Sequence, residues 1–160
     1  MFPIIYGLAV NVGKNICRLR WYTVGMKNRT QVVAIGIVQK GNRYLLTKRI
    51  QQDSEDQGFH DKWQFPGGGL EFGESPEQTV IRELKEELGV EVTTTRFLPP
   101  ISVIHYGWWQ GILLTYICDL KNPNASITLN EEASEFRWCT VEEIKQLDAM
   151  PSLYELADML

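Results

Sequence analysis

The sequence predicts an α/β protein: an α/β/α sandwich on a mixed β-sheet. Three observations predict it. Runs rich in Val, Ile and aromatic residues recur along the chain at strand length. One amphipathic helix with both ends marked lies among them, at about 76–88. Helical patterns then close the chain.

The first strand is expected over 31–39, a Val/Ile-rich run that reads as buried. Lys40-Gly41-Asn42 is a turn, and 43–49 returns as the second strand of a hairpin. Residues 51–61 are polar, contain Gly58 and read as a loop. Residues 63–65 make a short strand, stopped by Pro66 and a glycine turn at 67–69. The central helix follows. Ser75 is a good N-cap, Pro76 suits the first helical position, and Gln78 completes a capping box. Gly89 supplies the stop. Val80, Ile81, Leu84 and Leu88 fall on one side at helical spacing and are expected to pack on the core. Strands are expected at 91–98, 101–106, 111–120 and 135–139, with a helix over 141–147 capped by Thr140 and a last helix over 152–160.

A chain of 160 residues suits one domain. Composition changes at Met26, so one domain is expected over 26–160 behind an N-terminal extension over 1–25. An upstream start codon would explain such an extension. The rival reading is a membrane-surface anchor or an extra packed strand. The opening MFPIIYGLAVNVG is apolar, but Lys14, Arg18 and Arg20 follow it, whereas a secretory signal carries its basic residues first. It is also too short to span a bilayer as a helix. No membrane partner is therefore expected. A net charge of -4 argues against a broad basic surface for polymeric nucleic acid, but leaves room for a small phosphorylated ligand. Cys17, Cys118 and Cys139 are far apart, and His60 and His105 are too sparse for a zinc cluster. A reducing, cytoplasmic setting fits best.

The chemistry concentrates on the central helix. At about 100° per residue, Glu83, Glu86 and Glu87 point within an arc of about 100°, beside the apolar stripe. Most acidic runs on helices are solvated faces, and like charges at i, i+4 cost about 0.2–0.5 kcal/mol. The flanks change that reading. Gly67-Gly68-Gly69 and Gly73 lie just ahead, where small residues allow close approach of backbone to a ligand. Clustered carboxylates, carbonyls and water are the oxygen donors that suit Mg²⁺ or Mn²⁺.

Residues 68–90, GGLEFGESPEQTVIRELKEELGV, resemble the Nudix box, G-x5-E-x7-R-E-U-x-E-E-x-G-U, with U a bulky aliphatic residue. Gly68, Glu74, Arg82, Glu83, Leu84, Glu86, Glu87, Gly89 and Val90 fill every specified position. The preceding WQFPGG also resembles the family's lead-in. The resemblance implies a Nudix-type α/β/α sandwich and a Mg²⁺-dependent enzyme that cleaves the diphosphate linkage of a nucleotide. It implies metal ligands at Glu86 and Glu87, a further ligand in the Gly67 carbonyl, and a ligand or the general base in Glu83. Arg82 and Glu74 would then form a supporting pair that orients Glu83. Many relatives carry another acid near the metal. Glu132 is the candidate here, with Glu131 the alternative and a solvated loop the bland reading of either.

Substrate class is less marked. The second strand ends Leu45-Leu46-Thr47-Lys48-Arg49, similar to the MutT-like branch, which hydrolyses nucleoside triphosphates to monophosphate and pyrophosphate. That likeness implies nucleotide contact by Arg49; the alternative is a surface charge at a strand end. Phe59, Tyr106, Trp108 and Trp109 are candidates for stacking on a base. Trp63, Phe65 and Trp138 are expected in the core or the pocket wall. ADP-ribose hydrolases of the family carry a proline later than Pro99 and Pro100 stand here. Tyr106 lies near where dinucleoside polyphosphate hydrolases carry a tyrosine. Dinucleoside polyphosphates or nucleotide sugars are thus the rival substrates, and a non-catalytic nucleotide sensor is the rival of another class. Many relatives form homodimers, so a dimer is compatible with the resemblance.

Overall fold

A central mixed sheet of seven strands organises the described part of the chain. The computed structural model describes residues 28–50 and 59–160 in full, together with the backbone of β1 (Ile5–Leu8) and β2 (Arg20–Thr23). Those two short strands pair antiparallel in a sheet of their own. The rest of the expected 1–25 extension, and residues 51–58 of the expected loop, lie outside the described residues.

The main sheet contains β3 (Arg29–Lys40), β4 (Arg43–Arg49), β5 (Trp63–Gln64), β6 (Gly67–Gly69), β7 (Val92–Tyr106), β8 (Trp109–Leu120) and β9 (Ala133–Cys139). Its path is β5-β4-β3-β8-β7, with β6 on β3 and β9 on β4. β3 and β8 run parallel from Arg29 opposite Trp109 to Gln39 opposite Asp119. β3 and β4 pair antiparallel at the hairpin end, where Lys40 faces Arg43, and then part. Past that point β3 takes β6 as its partner and β4 takes β5.

Strand alternation divides the core in two. From β3, Ala34 and Val38 turn to one face and meet Val80, Leu84 and Leu88 of α1 (Pro76–Leu88). Ile37 turns to the other face and meets Leu46, Trp63, Phe65 and Ile117. That second face is closed by Ile144 of α2 (Val141–Ile144) and by Leu153 and Leu156 of α3 (Pro151–Ala157). The result is the expected α/β/α sandwich. Gly36 brings α1 close, because a Cβ there would lie 2.7 Å from Leu84 Cδ1.

Four local expectations need correction. Residues 67–69 form a strand, not a turn: each glycine pairs across to β3, with Gly67 opposite Ile35. The expected strands at 91–98 and 101–106 are one strand, β7, whose register slips between Leu98 and Ser102 around the two prolines. β7 is the last strand of the sheet path, and an edge tolerates residues that cannot donate to the ladder. Ile81 is 38% exposed, because it lies at the far margin of the apolar stripe. The last two helices are shorter than expected. Among the described residues no helix is long and apolar enough to cross a membrane.

Candidate active site

The site is built outward from α1. Its start is fixed by the expected capping box: the Ser75 N–H donates to Gln78 Oε1 at 2.8 Å, and the Gln78 N–H donates back to Ser75 Oγ at 3.3 Å. At the other end Gly89 takes the left-handed conformation, φ 67°, and closes on the Lys85 carbonyl. With both ends set, the three carboxylates have fixed azimuths around the axis.

Glu87 lies nearest the apolar stripe and is 3% exposed. A buried carboxylate is costly unless it accepts hydrogen bonds. The Gly67 N–H supplies one, at 3.1 Å to Oε1. Burial still dominates and pushes the Glu87 carboxyl up to about 8; the Gly67 bond opposes this, the charges of Glu132 and Glu83 reinforce it, and Arg49 opposes it. Glu83 is raised as well, first by burial, against the pull of Arg82.

Arg82 is the hub of the outer half. Its Nε and Nη2 donate to the two oxygens of Glu74 at 2.8 and 3.1 Å, a bidentate fork. Nη1 donates to Glu83 at 2.8 Å and to Glu86 at 3.2 Å, and Nη2 also reaches the Gly69 carbonyl at 3.2 Å. The Arg82 bond, the largest influence, holds the Glu74 carboxyl down at about 2. The Thr79 hydroxyl adds a bond to Glu74 at 2.9 Å. One guanidinium therefore ties the loop before α1, the strand β6 and two of the three helix carboxylates.

Glu83 and Glu87 thus face the glycine strand. The Glu83 carboxylate lies so close over Gly68 that a Cβ there would sit 2.3 Å from Oε1. Glu132 joins them: its charge acts on both Glu83 and Glu87. Glu86 stands further out, its side chain 57% exposed. Among the described residues, no three His, Cys, Asp or Glu side chains already converge on one cation-sized point. Like charges separate where they can, and Arg82 gives Glu83 and Glu86 a counter-charge to turn to. The donors are all hard oxygens, and their mutual repulsion is what a divalent cation relieves. By donor chemistry the set fits Mg²⁺ or Mn²⁺.

On the other side of β6 lies a cavity of about 380 Å³. Arg49, Phe59, Tyr106 and Trp108, the four expected substrate contacts, all line it, together with Trp109 and Gly67–Gly69. Phe59 meets Tyr106 edge-on, ring centroids 4.6 Å apart. Tyr106 and Trp109 are nearly parallel, 8° apart, with centroids at 6.2 Å. Arg49 belongs to both halves, since it lines the cavity and its charge acts on Glu87. Phe65 is buried in the wall, Trp63 is buried behind it, and Trp138 packs on the α1 side of the sheet.

Several lining residues escaped sequence reasoning. Gln31 and Gln64 face the cavity, as do Ser152, Leu153 and Leu156 of α3. The parity of β3 is the one signal that could have found Gln31, which shares a face with Val33 and Ile35. Nothing local points to α3.

Comparison with known proteins agrees with this architecture. Residues 27–160 match the NUDIX domain profile. The chain is 35% identical over 129 residues to the nucleoside triphosphatase NudI of Enterobacter sp. (strain 638), covering 75% of this chain and 89% of that one. The crystal structure of the MutT protein from Methanosarcina mazei Go1 superposes with a TM-score of 0.67 at 19% identity, over 84% of this chain and 93% of that chain. The solution structure of the E. coli ORF135 protein gives 0.64 at 23% identity, over 82% and 88%. Those two likenesses bear on the fold. With a profile match over residues 27–160 and every position of the box filled, the chain belongs to the NUDIX family.

Proposed function

We propose that the protein is a divalent-cation-dependent pyrophosphohydrolase that cleaves nucleoside triphosphates to monophosphate and pyrophosphate. One observation carries the reading: the aromatic cavity and the carboxylate cluster meet at the same three-residue strand, Gly67–Gly69. A nucleoside in the cavity would have its phosphates leaving across β6 toward Glu83, Glu86 and Glu87. The name of the Enterobacter relative supports the same substrate class.

In this reading Tyr106, Trp108 and Phe59 hold the base. Arg49 meets the phosphates where they leave the cavity. Glu86, Glu87 and Glu132, with the Gly67 carbonyl, would hold Mg²⁺ or Mn²⁺. Such a cation, when bound, would supply neutralisation of phosphate charge and a lower pKa for the attacking water. Glu83 accepts the proton of the attacking water: it is oriented by Arg82, and burial raises its affinity for that proton. Glu74 fixes Arg82 in turn. We place the protein in the cytosol, where the buried thiols of Cys118 and Cys139 stay reduced.

The test is a panel of nucleotides with Mg²⁺ and product identification by chromatography. Pyrophosphate and monophosphate from a nucleoside triphosphate support the proposal. Turnover confined to dinucleoside polyphosphates or nucleotide sugars would replace its substrate class. Tight binding without turnover across the panel would make the protein a sensor.

A further inference from the structure

Gln31 stands at the start of an otherwise apolar run, with its side chain in the cavity wall. One end of its amide is bonded and the other rests against β6. The Trp109 indole N–H donates to Gln31 Oε1 at 3.2 Å. Gln31 Nε2 lies directly over Gly69, so close that a Cβ on Gly69 would sit 2.1 Å from it. Trp109 in turn stacks with Tyr106, and Tyr106 carries Phe59. On its other side the Gly69 carbonyl accepts from Arg82, which holds Glu74, Glu83 and Glu86. One amide therefore spans the gap between the aromatic wall and the strand that carries the carboxylate site.

We propose that Gln31 is a positioning residue that locks the Trp109–Tyr106–Phe59 wall in the orientation that accepts a nucleobase, and keeps that wall in register with β6. This rests on the reading of the cavity as the nucleoside subsite. An indole held by one hydrogen bond is fixed in rotation about its side-chain torsions. Without it, Trp109 can turn, and Tyr106 loses the parallel surface on which it rests. Base stacking depends on such preorganised surfaces. Gln31 touches no reacting atom in this scheme, so its loss should weaken binding of the nucleoside and leave the chemical step alone.

Three variants test it: Gln31→Met, which keeps length but removes the acceptor; Trp109→Phe, which removes the donor; and the pair together. Binding of nucleoside monophosphates is measured by calorimetry without metal, and turnover of nucleoside triphosphates is measured with Mg²⁺. Each single variant should weaken monophosphate binding about tenfold and raise KM alike, with kcat within about twofold. The double variant should be no worse than Trp109→Phe, because both substitutions break one bond. Wild-type binding by Gln31→Met, additive losses in the double, or a fall in kcat at constant KM would overturn the proposal. Thermal melts of each variant identify any that fail to fold, and Trp109→Phe reads the same bond from its other end. If the wild-type protein binds monophosphates but hydrolyses nothing, the functional reading fails and the Gln31 comparison still stands. If it binds none of them, the cavity reading and this proposal fall together.

Discussion

At the level of single residues, the proposed metal role of Glu86 can be tested apart from stability. Its side chain is 57% exposed, and it pairs with Arg82 at 3.2 Å. An exposed i, i+4 pair of this kind is worth about 0.3–0.5 kcal/mol. Glu86→Gln should therefore melt close to the wild type. A ligand to the cation stabilises transition-state charge by several kcal/mol, so metal-dependent turnover should fall about a hundredfold or more. Near-wild-type activity at saturating Mg²⁺ would remove Glu86 from the metal site. Arg82→Lys probes the layer behind. Lysine keeps the charge but cannot reproduce the fork onto Glu74 while also reaching Glu83 and the Gly69 carbonyl. Activity should drop about 10–100-fold, the usual cost of losing an outer-shell partner, with a folded circular-dichroism spectrum. Full activity would show that Glu83 needs no orienting partner. The acidic set was legible because helix spacing is local: residues one turn apart share a side whatever the rest of the chain does. The Arg82–Glu74 pair, eight residues apart, came through the resemblance and not from spacing.

At the scale of elements, sequence reading did best where one signal sat inside one element. Ser75, Pro76, Gln78 and Gly89 bound α1 as expected because caps act on adjacent backbone groups. It did worst at β6. Three glycines and a preceding proline read as a turn, but their reason lies in packing. A Cβ on Gly67 would come within 2.3 Å of the Ala34 carbonyl oxygen, and φ there is 144°, which L side chains rarely adopt. The neighbour is backbone and cannot swing away. Gly67→Ala should therefore push β6 off β3 and withdraw the N–H that Glu87 accepts from. The expected outcome is a lower melting temperature together with loss of turnover, read by calorimetry and the triphosphate assay. An alanine variant with wild-type stability and activity would mean that β6 does not need this close approach. β7 shows the same limit of local reading: two prolines mark a break in sequence, but the strand passes through it because its outer edge asks for no ladder bonds.

The whole molecule places the site where several distant segments meet, and this was the least legible level. Phe59, Tyr106 and Trp108 were found as aromatics near loops, yet that they share one cavity with Arg49 depends on β3 and β4 parting after their hairpin. The α3 wall depends on long-range packing that no spacing reveals. The same arrangement bears on the first 25 residues. Among the described residues, both core clusters draw on positions from 34 onward. β1 and β2 pair with each other, outside the sheet that carries the site, and the NUDIX match begins at residue 27. We propose that the catalytic unit starts near Met26. The first residue to line the cavity, Arg29, and its sheet partner Trp109 both lie within that unit. A chain lacking residues 1–25 should then melt within a few degrees of the full chain and keep kcat/KM within about twofold, because surface changes away from core and site usually stay within about 0.5 kcal/mol. The measurement is a thermal melt beside steady-state kinetics on the same nucleoside triphosphate. An insoluble truncation would mean that the β1–β2 pair covers apolar surface of the domain. A soluble but inactive one would mean that the opening segment contributes to the site itself.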